Sequence, residues 1–279
     1  DKVIIHSLNN TDLSKVLFFH PWLLKKCYWV VWGADLYYYK NRDRNIKTNI
    51  HEFFRRYVIR NMGGIITHIR GDYELAKEWN GAKGKYYYSF MYPSNLYHEY
   101  NLTQTQNSKE DKIYIQIGNS ADPSNNHIEV LHKLEMYKDF NIEIVCPLSY
   151  GNSKYRDNVI YEGKELFDDK FKPLIEFLPF DDYLNLLSKI DIAIFNHKRQ
   201  QAMGNIITLL GLGKKVYIRN DITTWEFCED HDLKVYSLND GCEDLFVEMT
   251  CDERKNNIEN VKKCFSVEKL IEDLKKIFE

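Results

Sequence analysis

The sequence contains no apolar run close to the roughly 20 residues that a membrane-spanning helix needs, and its start has no charged segment followed by an apolar one. Its six cysteines form no Cys-x-x-Cys pair and show no spacing typical of a metal site. No Asp-x-Asp motif follows a predicted strand, and no motif of a nucleic-acid-binding fold is present. These absences argue against a transmembrane protein, a bound metal and a nucleic-acid partner. The scattered thiols favour a reduced, cytosolic protein.

Basic residues are concentrated in one segment of the chain. Between His20 and Arg70, ten Lys or Arg residues stand against three acidic ones, which gives this segment a net charge of +7. The whole chain carries −3, so the remainder carries −10. Such a division suggests that the two parts meet different partners. Two interpretations stay open for the basic segment: a solvated charged helix, or binding to an anionic membrane surface or a pyrophosphate-linked lipid.

A chain of 279 residues is long enough for two α/β domains. In the second half, apolar strands alternate with helical segments of roughly 10–15 residues, which predicts βαβ units and a parallel sheet. The predicted strands cover residues 112–117, 142–146, 174–177, 191–195 and 215–218. A polar, aperiodic stretch at 101–111 is the predicted linker. We therefore expect an N-terminal domain over residues 1–108 and a C-terminal domain over 109–279, whose last helix can pack back on the first domain.

The first half gives fewer signals. Residues 16–19 and 28–32 predict buried strands, followed by His20 and by the stretch Gly-Ala-Asp that ends at Asp35. Residues 46–61 have helical spacing, with Phe53, Phe54 and Tyr57 predicted to point inward and the arginines outward.

Asp35 and His20 would then lie at strand ends and face the second domain across a cleft. A transferase needs a base near the acceptor hydroxyl, and we take Asp35 as the first candidate and His20 as the second. The alternatives are a helix cap or an arginine partner for Asp35, and a structural role for His20.

The loop at 118–126 (Gly-Asn-Ser-Ala-Asp-Pro-Ser-Asn-Asn) leaves the carboxyl end of a predicted strand and opens a helix. Open α/β sheets bind ligands at this position, and a helix start offers free N–H groups to a phosphate. The candidate phosphate ligands in the loop are Gly118, Asn119, Ser120 and Asn125. The alternative is a well-capped strand–helix turn without a ligand.

A second loop, at 195–205, also follows a strand and precedes an apolar helix. It places a cation and a helix N-terminus together, which suits a diphosphate. Its candidate ligands are Arg199, Gln200, Gln201, Gly204 and Asn205. Because both loops follow strands of one parallel sheet, they can converge on one ligand.

Several stretches together resemble one family. They are Trp-Gly-Ala-Asp-Leu-Tyr at 32–37, Arg-Gly-Asp at 70–72, Gly-Asn-Ser-Ala-Asp-Pro-Ser-Asn-Asn-His at 118–127 and Arg-Gln-Gln-Ala-Met-Gly at 199–204, with His20 and Thr67. The chain resembles the TDP-N-acetylfucosamine:lipid II N-acetylfucosaminyltransferases, also labelled 4-alpha-L-fucosyltransferases (glycosyltransferase family 56). The resemblance runs from about residue 15 to 227.

The resemblance implies a GT-B fold, with two facing Rossmann-like domains that hold parallel sheets and with the donor bound mainly by the C-terminal one. Family members usually have a further strand–helix portion before the point where this chain begins, which implies a shortened N-terminal domain. The implied activity moves an N-acetylfucosamine-type amino-deoxy sugar to an undecaprenyl-pyrophosphate glycan in enterobacterial common antigen assembly. The implied location is peripheral, on the cytoplasmic face of the inner membrane.

We expect a TDP- or UDP-linked sugar as donor and no tightly bound cofactor or metal. Helix N-termini and Arg199 would stabilise the departing nucleoside diphosphate electrostatically. Pro147, Tyr150 and Phe180 are the predicted walls of the base and ribose pocket. Two alternatives stay open: a sugar-nucleotide epimerase of the same fold, and a non-catalytic nucleotide-sugar-binding subunit of a glycan-assembly complex.

Overall fold

The structure, a computed structural model, describes residues 1–97, 112–242 and 244–279. The predicted linker at 101–111 lies outside the described residues. The chain divides into two compact units. The first unit consists of Asp1–Leu96, Arg199–Gln201 and Phe265–Glu279, and the second of Tyr97–Lys198 and Ala202–Cys264.

The first unit is built on a parallel sheet of four strands in the order β1-β2-β3-β4. The strands are β1 (Val3–His6), β2 (Cys27–Val30), β3 (Gly64–Ile66) and β4 (Lys85–Tyr87), and the helices between them are α1 (Thr11–Phe19), a 3-10 turn (Pro21–Lys26), α2 (Ala34–Asn41), α3 (Ile46–Asn61) and α4 (Arg70–Asn80). Because the strand order advances in one direction, right-handed crossovers place all of these helices on one face of the sheet.

The second unit is built on a parallel sheet of six strands in the order β10-β9-β8-β5-β6-β7. The strands are β5 (Ile113–Ile117), β6 (Ile142–Pro147), β7 (Phe171–Leu174), β8 (Ile192–Phe195), β9 (Lys215–Ile218) and β10 (Tyr236–Ser237). The helices are α5 (His127–Leu134), α6 (Ser153–Phe167), α7 (Phe180–Lys189), α8 (Met203–Gly211), α9 (Thr223–Asp230) and α10 (Cys251–Cys264). The strand order reverses between β5 and β8, as in a doubly wound dinucleotide-binding fold.

A last helix, α11 (Val267–Phe278), belongs to the first unit. Alternate residues of β2 point to opposite faces of its sheet. Trp29 joins the core under α1–α4, whereas Tyr28 and Val30 join a second core that contains Ile277 of α11. The sheet therefore has a helical layer on each face, and the second layer comes from the far end of the chain.

Two expectations for the first half are wrong. Residues 16–19 are not a strand but the end of α1, which begins where the Asn10 side chain accepts hydrogen bonds from Asp12 N and Leu13 N. The helix at 46–61 has the predicted bounds, but its buried face is different. Phe53 is 63% exposed and Arg55 is fully buried, because Arg55 pairs with Glu52 at 3.4 Å and donates to the carbonyl of Asp35.

Candidate functional site

The two loops predicted to bind phosphate start at the carboxyl ends of β5 and β8, which are neighbouring strands of the second unit. This is the place where the strand order reverses, so the crossover helices diverge to opposite faces of the sheet and leave a crevice between the loops. The Gly118 N–H donates to the carbonyl of Ile194 at 2.9 Å, which holds the start of one loop against the end of the other strand. The structure therefore places both predicted loops at the edge of the sheet where open α/β folds bind ligands.

Gly118 turns the chain out of β5 with φ +65°. A Cβ atom at this position would lie 2.4 Å from His127 Nε2 and 2.7 Å from Asn125 Oδ1. Both the left-handed backbone and the close approach require glycine. The role of Gly118 is thus to let its loop fold back over the start of α5.

Asn125 is the fully buried centre of the β5 loop. Its Oδ1 accepts hydrogen bonds from Asn119 N at 3.0 Å and from His197 Nε2 at 2.8 Å, and its Nδ2 donates to Ser120 Oγ at 3.3 Å. Asn126 Nδ2 adds a bond of 2.8 Å to the carbonyl of Asn196. The predicted ligands Ser120 and Asn125 are therefore buried with their polar groups bound within the protein, and Asn125 holds the two loops together.

The helices that follow the two loops begin in the same unusual way. The residue before α5 is Asn126 with φ +50°, and the residue before α8 is Ala202 with φ +59°. The side chain of neither residue caps its helix, but the first N–H of α5, that of His127, donates to the hydroxyl of Tyr155 at 3.0 Å. Among the described residues, no side chain caps the first N–H groups of α8. A left-handed alanine is strained, and such strain concentrates at functional sites. The uncapped N–H groups of α8, at the positive end of its dipole, form an arrangement that suits a diphosphate.

A polar cluster beneath the site holds the first turn of α8. Gln116 of β5 is fully buried and donates to Asn205 Oδ1 at 3.4 Å and to the carbonyl of Gly118 at 3.0 Å. The hydroxyl of Tyr183, on α7, also donates to Asn205 Oδ1. Burial raises the pKa of Tyr183, so this phenol keeps its proton. These hydrogen bonds fix the side chain of Asn205 in the first turn of α8.

The three predicted walls of the base pocket differ in position. Tyr150 is exposed, and its hydroxyl accepts a hydrogen bond from Asn119 Nδ2 at 3.0 Å, which joins the β6 loop to the β5 loop. Phe180 is exposed at the first position of α7. Pro147 is instead a buried strand residue in register with Leu174. Its ring cannot contact a ligand directly, so only Tyr150 and Phe180 remain available as walls.

The predicted ligands Arg199, Gln200 and Gln201 group with the first unit. Arg199 donates to the carbonyl of Gln200 at 3.1 Å, and a Cβ atom on Gly33 would lie 2.0 Å from Gln200 Oε1. Sequence reasoning missed a second arginine, Arg219, which directly follows β9 and is in the second unit.

Arg219 lies at the same edge as the two loops. It donates to Asn196 Oδ1 at 3.3 Å and forms a bidentate pair with Asp221, at 2.8 and 2.6 Å. Its position one residue after an apolar strand was the signal that could have identified it. The arginine places a guanidinium beside the β8 loop, with its charge balanced by Asp221.

His127 is fully buried behind the β5 loop. Its backbone N–H donates to the hydroxyl oxygen of Tyr155 at 3.0 Å, and its ring Nδ1 lies 3.3 Å from the same oxygen. Its Nε2 has no hydrogen-bond partner within the described part of the chain. Burial lowers the pKa of His127 to about 4, and the Asp122 carboxylate opposes this only weakly. The imidazole is therefore neutral at pH 7.

This neutral histidine should make the protein sensitive to mild acid. The pKa of the unfolded chain is near 6.5 and that of the folded protein is about 4, so the unfolded state binds a proton first as the pH falls. The contribution to stability is complete above about pH 6.5 and decreases by up to about 3 kcal/mol toward pH 4. Thermal unfolding of a His127→Gln variant at pH 7 and pH 5 should show a smaller difference than the wild type.

The control for this measurement is His132→Gln, which changes a half-exposed histidine on the same helix and should leave most of the pH dependence in place. An equal acid sensitivity in wild type and His127→Gln would show that other groups cause it.

In the first unit, Asp35 has contacts that do not fit a general base. Its carboxylate is fully buried and accepts four hydrogen bonds. Oδ2 accepts from Leu8 N at 3.0 Å and from the Trp29 indole at 2.6 Å, and Oδ1 accepts from Trp32 N at 3.0 Å and from Leu36 N at 2.9 Å. Asp35 thereby ties the loop after β1 to the loop after β2. Its role is to position these loops, because both oxygens are occupied.

His20 is also in a different place from the predicted one. It follows α1, and a crossover helix carries the chain from the carboxyl edge of a parallel sheet back to the amino edge. Its Nδ1 donates to the carbonyl of Val16 at 2.7 Å. His20 therefore does not lie at the carboxyl edge, where open α/β sheets bind ligands.

Sequence reasoning missed His6, the exposed last residue of β1. Its Nδ1 lies 2.9 Å from the hydroxyl of Tyr92, and Trp32 packs edge-on against the same tyrosine. Burial raises the pKa of Tyr92 to about 12, so the phenol keeps its proton. Ser7, which follows His6, has the left-handed φ of +68°. A titratable ring, exposed aromatics and local strain thus coincide at the carboxyl edge of this sheet.

No group of three His, Cys, Asp or Glu side chains that could hold a metal ion occurs within residues 1–97, 112–242 and 244–279. In the same residues, none of the helices has the length and apolar character needed to cross a membrane.

Several solved structures have a similar fold. Sucrose-phosphate synthase from Thermosynechococcus elongatus matches with a TM-score of 0.72 at 10% identity, over 99% of this chain and 72% of that chain. Anabaena HepE in complex with UDP matches with a TM-score of 0.68 at 13% identity, over 99% and 78%. WaaG, a glycosyltransferase involved in lipopolysaccharide biosynthesis, matches with a TM-score of 0.58 at 13% identity, over 95% and 79%. The likeness confirms the GT-B fold.

The sequence itself matches one family directly. The family of 4-alpha-L-fucosyltransferases, glycosyl transferase group 56, matches residues 1–266. This range contains all of the candidate site residues of both units. The chain therefore belongs to the 4-alpha-L-fucosyltransferase family, group 56, and is a glycosyltransferase.

Proposed function

We propose that this glycosyltransferase moves an N-acetylfucosamine-type amino-deoxy sugar from a TDP- or UDP-linked donor to an undecaprenyl-pyrophosphate-linked glycan, on the cytoplasmic face of the membrane. The observation that carries the donor half of the proposal is the uncapped N-terminus of α8 at the β5/β8 edge, which follows the left-handed Ala202. The basic segment between residues 20 and 70, with its charge of +7, supports an anionic acceptor or membrane.

In this proposal the diphosphate of the donor binds the N–H groups of the first turn of α8, near Gly204 and Asn205, beside the loop that begins at Gly118. The helix dipole then stabilises the negative charge that grows on the leaving nucleoside diphosphate. Arg219, which is paired with Asp221, lies at the same edge, and Arg199 remains a candidate for stabilising the leaving diphosphate. Tyr150 and Phe180, both exposed aromatics, supply surfaces on which a pyrimidine base can stack.

On the acceptor side, we assign the role of general base to His6. When Nδ1 donates to the oxygen of Tyr92, Nε2 keeps its lone pair and can take the proton of the acceptor hydroxyl. Asp35 acts through the loops that it holds. Its bond to Leu8 N fixes the chain just after His6, and its bond to Trp32 N fixes the backbone of Trp32.

A panel of nucleotides tests the donor site. Thermal unfolding with TDP, UDP and GDP should show stabilisation by at least one of them, since a ligand that binds only the folded state raises Tm. Asn205→Asp should then lower the affinity for that nucleotide at least about tenfold, because a carboxylate in the first turn of α8 repels the diphosphate. The substitution keeps the oxygen that accepts from Gln116 and Tyr183, so the Tm without nucleotide should stay within about 2 °C.

The matched control is Asn158→Asp, which adds the same charge on the exposed side of α6. It should leave nucleotide affinity unchanged. If none of the three nucleotides raised the Tm, the donor-site proposal would be wrong. If Asn205→Asp bound the nucleotide as tightly as the wild type, the diphosphate would bind elsewhere.

A further inference from the structure

The outer helices of the first unit expose an unusual number of large apolar side chains. Helix α3 and the end of α1 pack through Phe18, whose ring lies 4.8 Å from Tyr57, 4.9 Å from Phe54 and 5.7 Å from Phe53. Around this contact, Phe19 and Trp22 are 65% and 67% exposed. We call the exposed members the aromatic patch: Val16, Phe19, Trp22, Ile50, Phe53 and Tyr57. Single exposed apolar residues are ordinary, but a continuous patch marks an interaction surface.

A basic pocket opens beside the aromatic patch. It has a volume of 480 Å³, and Phe53 belongs to its lining as well as to the patch. We call its three arginines, Arg42, Arg44 and Arg56, the arginine pocket. Among the described residues, none of the three pairs with a carboxylate. The acid in the lining, Glu52, is held by Arg55 at 3.4 Å and by Asn80 at 3.2 Å. The pocket therefore presents unneutralised positive charge.

Further exposed cations border the patch on the other side. Lys25 and Lys26 end the 3-10 turn that carries Trp22, and Arg60 lies one helical turn beyond Arg56 on α3. Aromatic rings and aliphatic groups with a border of Lys and Arg are typical of surfaces that lie in the headgroup region of an anionic membrane. A second copy of the chain fits less well, because a symmetric contact would bring the two arginine pockets together.

We propose that the aromatic patch and the arginine pocket form a membrane-docking surface. Phe19, Trp22 and Phe53 enter the interface between headgroups and acyl chains, and Arg42, Arg44 and Arg56 bind the phosphates of anionic phospholipids. The inference deepens the proposed membrane location by naming the surface and the lipid chemistry, and to that extent it rests on the proposed function.

Flotation of the full chain with lipid vesicles tests this surface. Binding should be strong to vesicles of phosphatidylcholine with 30% phosphatidylglycerol, weak to phosphatidylcholine alone, and reduced by salt. The triple variant Arg42→Gln, Arg44→Gln, Arg56→Gln should reduce the apparent affinity for anionic vesicles at least about tenfold. The double variant Phe19→Ser, Phe53→Ser should cause a similar loss that added salt does not reproduce.

Two controls keep the result specific. Lys154→Gln, Lys164→Gln, Lys172→Gln removes the same charge from exposed positions of the second unit, and Met136→Ser, Tyr161→Ser removes exposed apolar side chains there. Both should bind vesicles like the wild type. Equal vesicle binding in the patch variants and these controls would overturn the proposal. A second result would also overturn it: a wild-type chain that binds none of the vesicles and forms a dimer in light scattering, which the double variant Phe19→Ser, Phe53→Ser dissociates.

Nucleotide binding and transfer to a water-soluble acceptor analogue separate this inference from the proposed function. Both should be unchanged in the patch variants, because the patch lies on α1, the 3-10 turn and α3 and contains neither His6 nor any residue of the β5/β8 edge. Lost vesicle binding with intact transfer supports the docking surface alone. Failed transfer in the wild type, with intact vesicle binding, would count against the proposed reaction and leave the surface in place.

Discussion

Replacing His6 with alanine is expected to lower kcat by about 100- to 10,000-fold, the usual contribution of a general base. The affinity for the nucleoside diphosphate should not change, because the proposed donor site is built from the second unit. The folded protein should be equally stable, since His6 is exposed and its side chain fills no core. Transfer to a water-soluble acceptor analogue, measured at saturating donor, gives kcat without the complication of vesicle binding.

Two other histidines complete this experiment. His20→Gln removes the other candidate base, which lies at the opposite edge of the sheet, and His132→Ala removes an exposed histidine of the second unit. Both variants should retain kcat within about threefold. If His20→Gln lost activity as His6→Ala does, the carboxyl-edge argument for His6 would be wrong.

Asp35→Asn should destabilise the protein by about 3–5 kcal/mol, which corresponds to a loss of roughly 10 °C or more in Tm. Asparagine keeps one acceptor oxygen, but its NH₂ group would face two N–H donors: either those of Leu8 and Trp29, or those of Trp32 and Leu36. Two hydrogen bonds to a buried carboxylate are lost, and two donors are left without an acceptor in a site that water does not reach.

Asp12→Asn is the control, because the side chain of Asp12 is 88% exposed on α1 of the same unit. It should change the free energy of unfolding by less than about 0.5 kcal/mol. An Asp35→Asn protein with a wild-type Tm and no transferase activity would contradict the positioning role and restore Asp35 as the base.

The sequence predicted the second unit better than the first because the second follows a repeated pattern. Each of its apolar strands β5, β6, β8 and β9 is followed by a helix, and each alternation matches a crossover of the parallel sheet. The predicted strand at 174–177 was displaced toward its C-terminal end, since β7 is Phe171–Leu174 and contains a proline that weakens the strand signal. In the first unit, Val-Leu-Phe-Phe at 16–19 favours a strand locally, although the cap at Asn10 and the packing of Leu17 place it in α1.

The site shows the same division between local and tertiary causes. Gly118 was predictable, because a strand–glycine–helix pattern marks a turn with close backbone approach. The roles of Asn125 and Asp35 were not. Asn125 binds His197, 72 positions along the chain, and Asp35 binds Leu8 N, 27 positions away. The sequence does not show whether an aspartate will face a substrate or four N–H groups, because the fold determines which groups surround the carboxylate.

The origin of the second helical layer of the first unit has a consequence for biosynthesis. Ile277 of α11 covers Tyr28, Val30 and Ile66, which otherwise form an open apolar face of the sheet. On the ribosome, β1–β4 emerge well before α11, and all of β5–β10 is translated in between. The second unit can therefore complete its own core first, whereas one face of the sheet in the first unit stays uncovered until α11 leaves the exit tunnel. This half-finished sheet is the segment that a chaperone would be expected to protect.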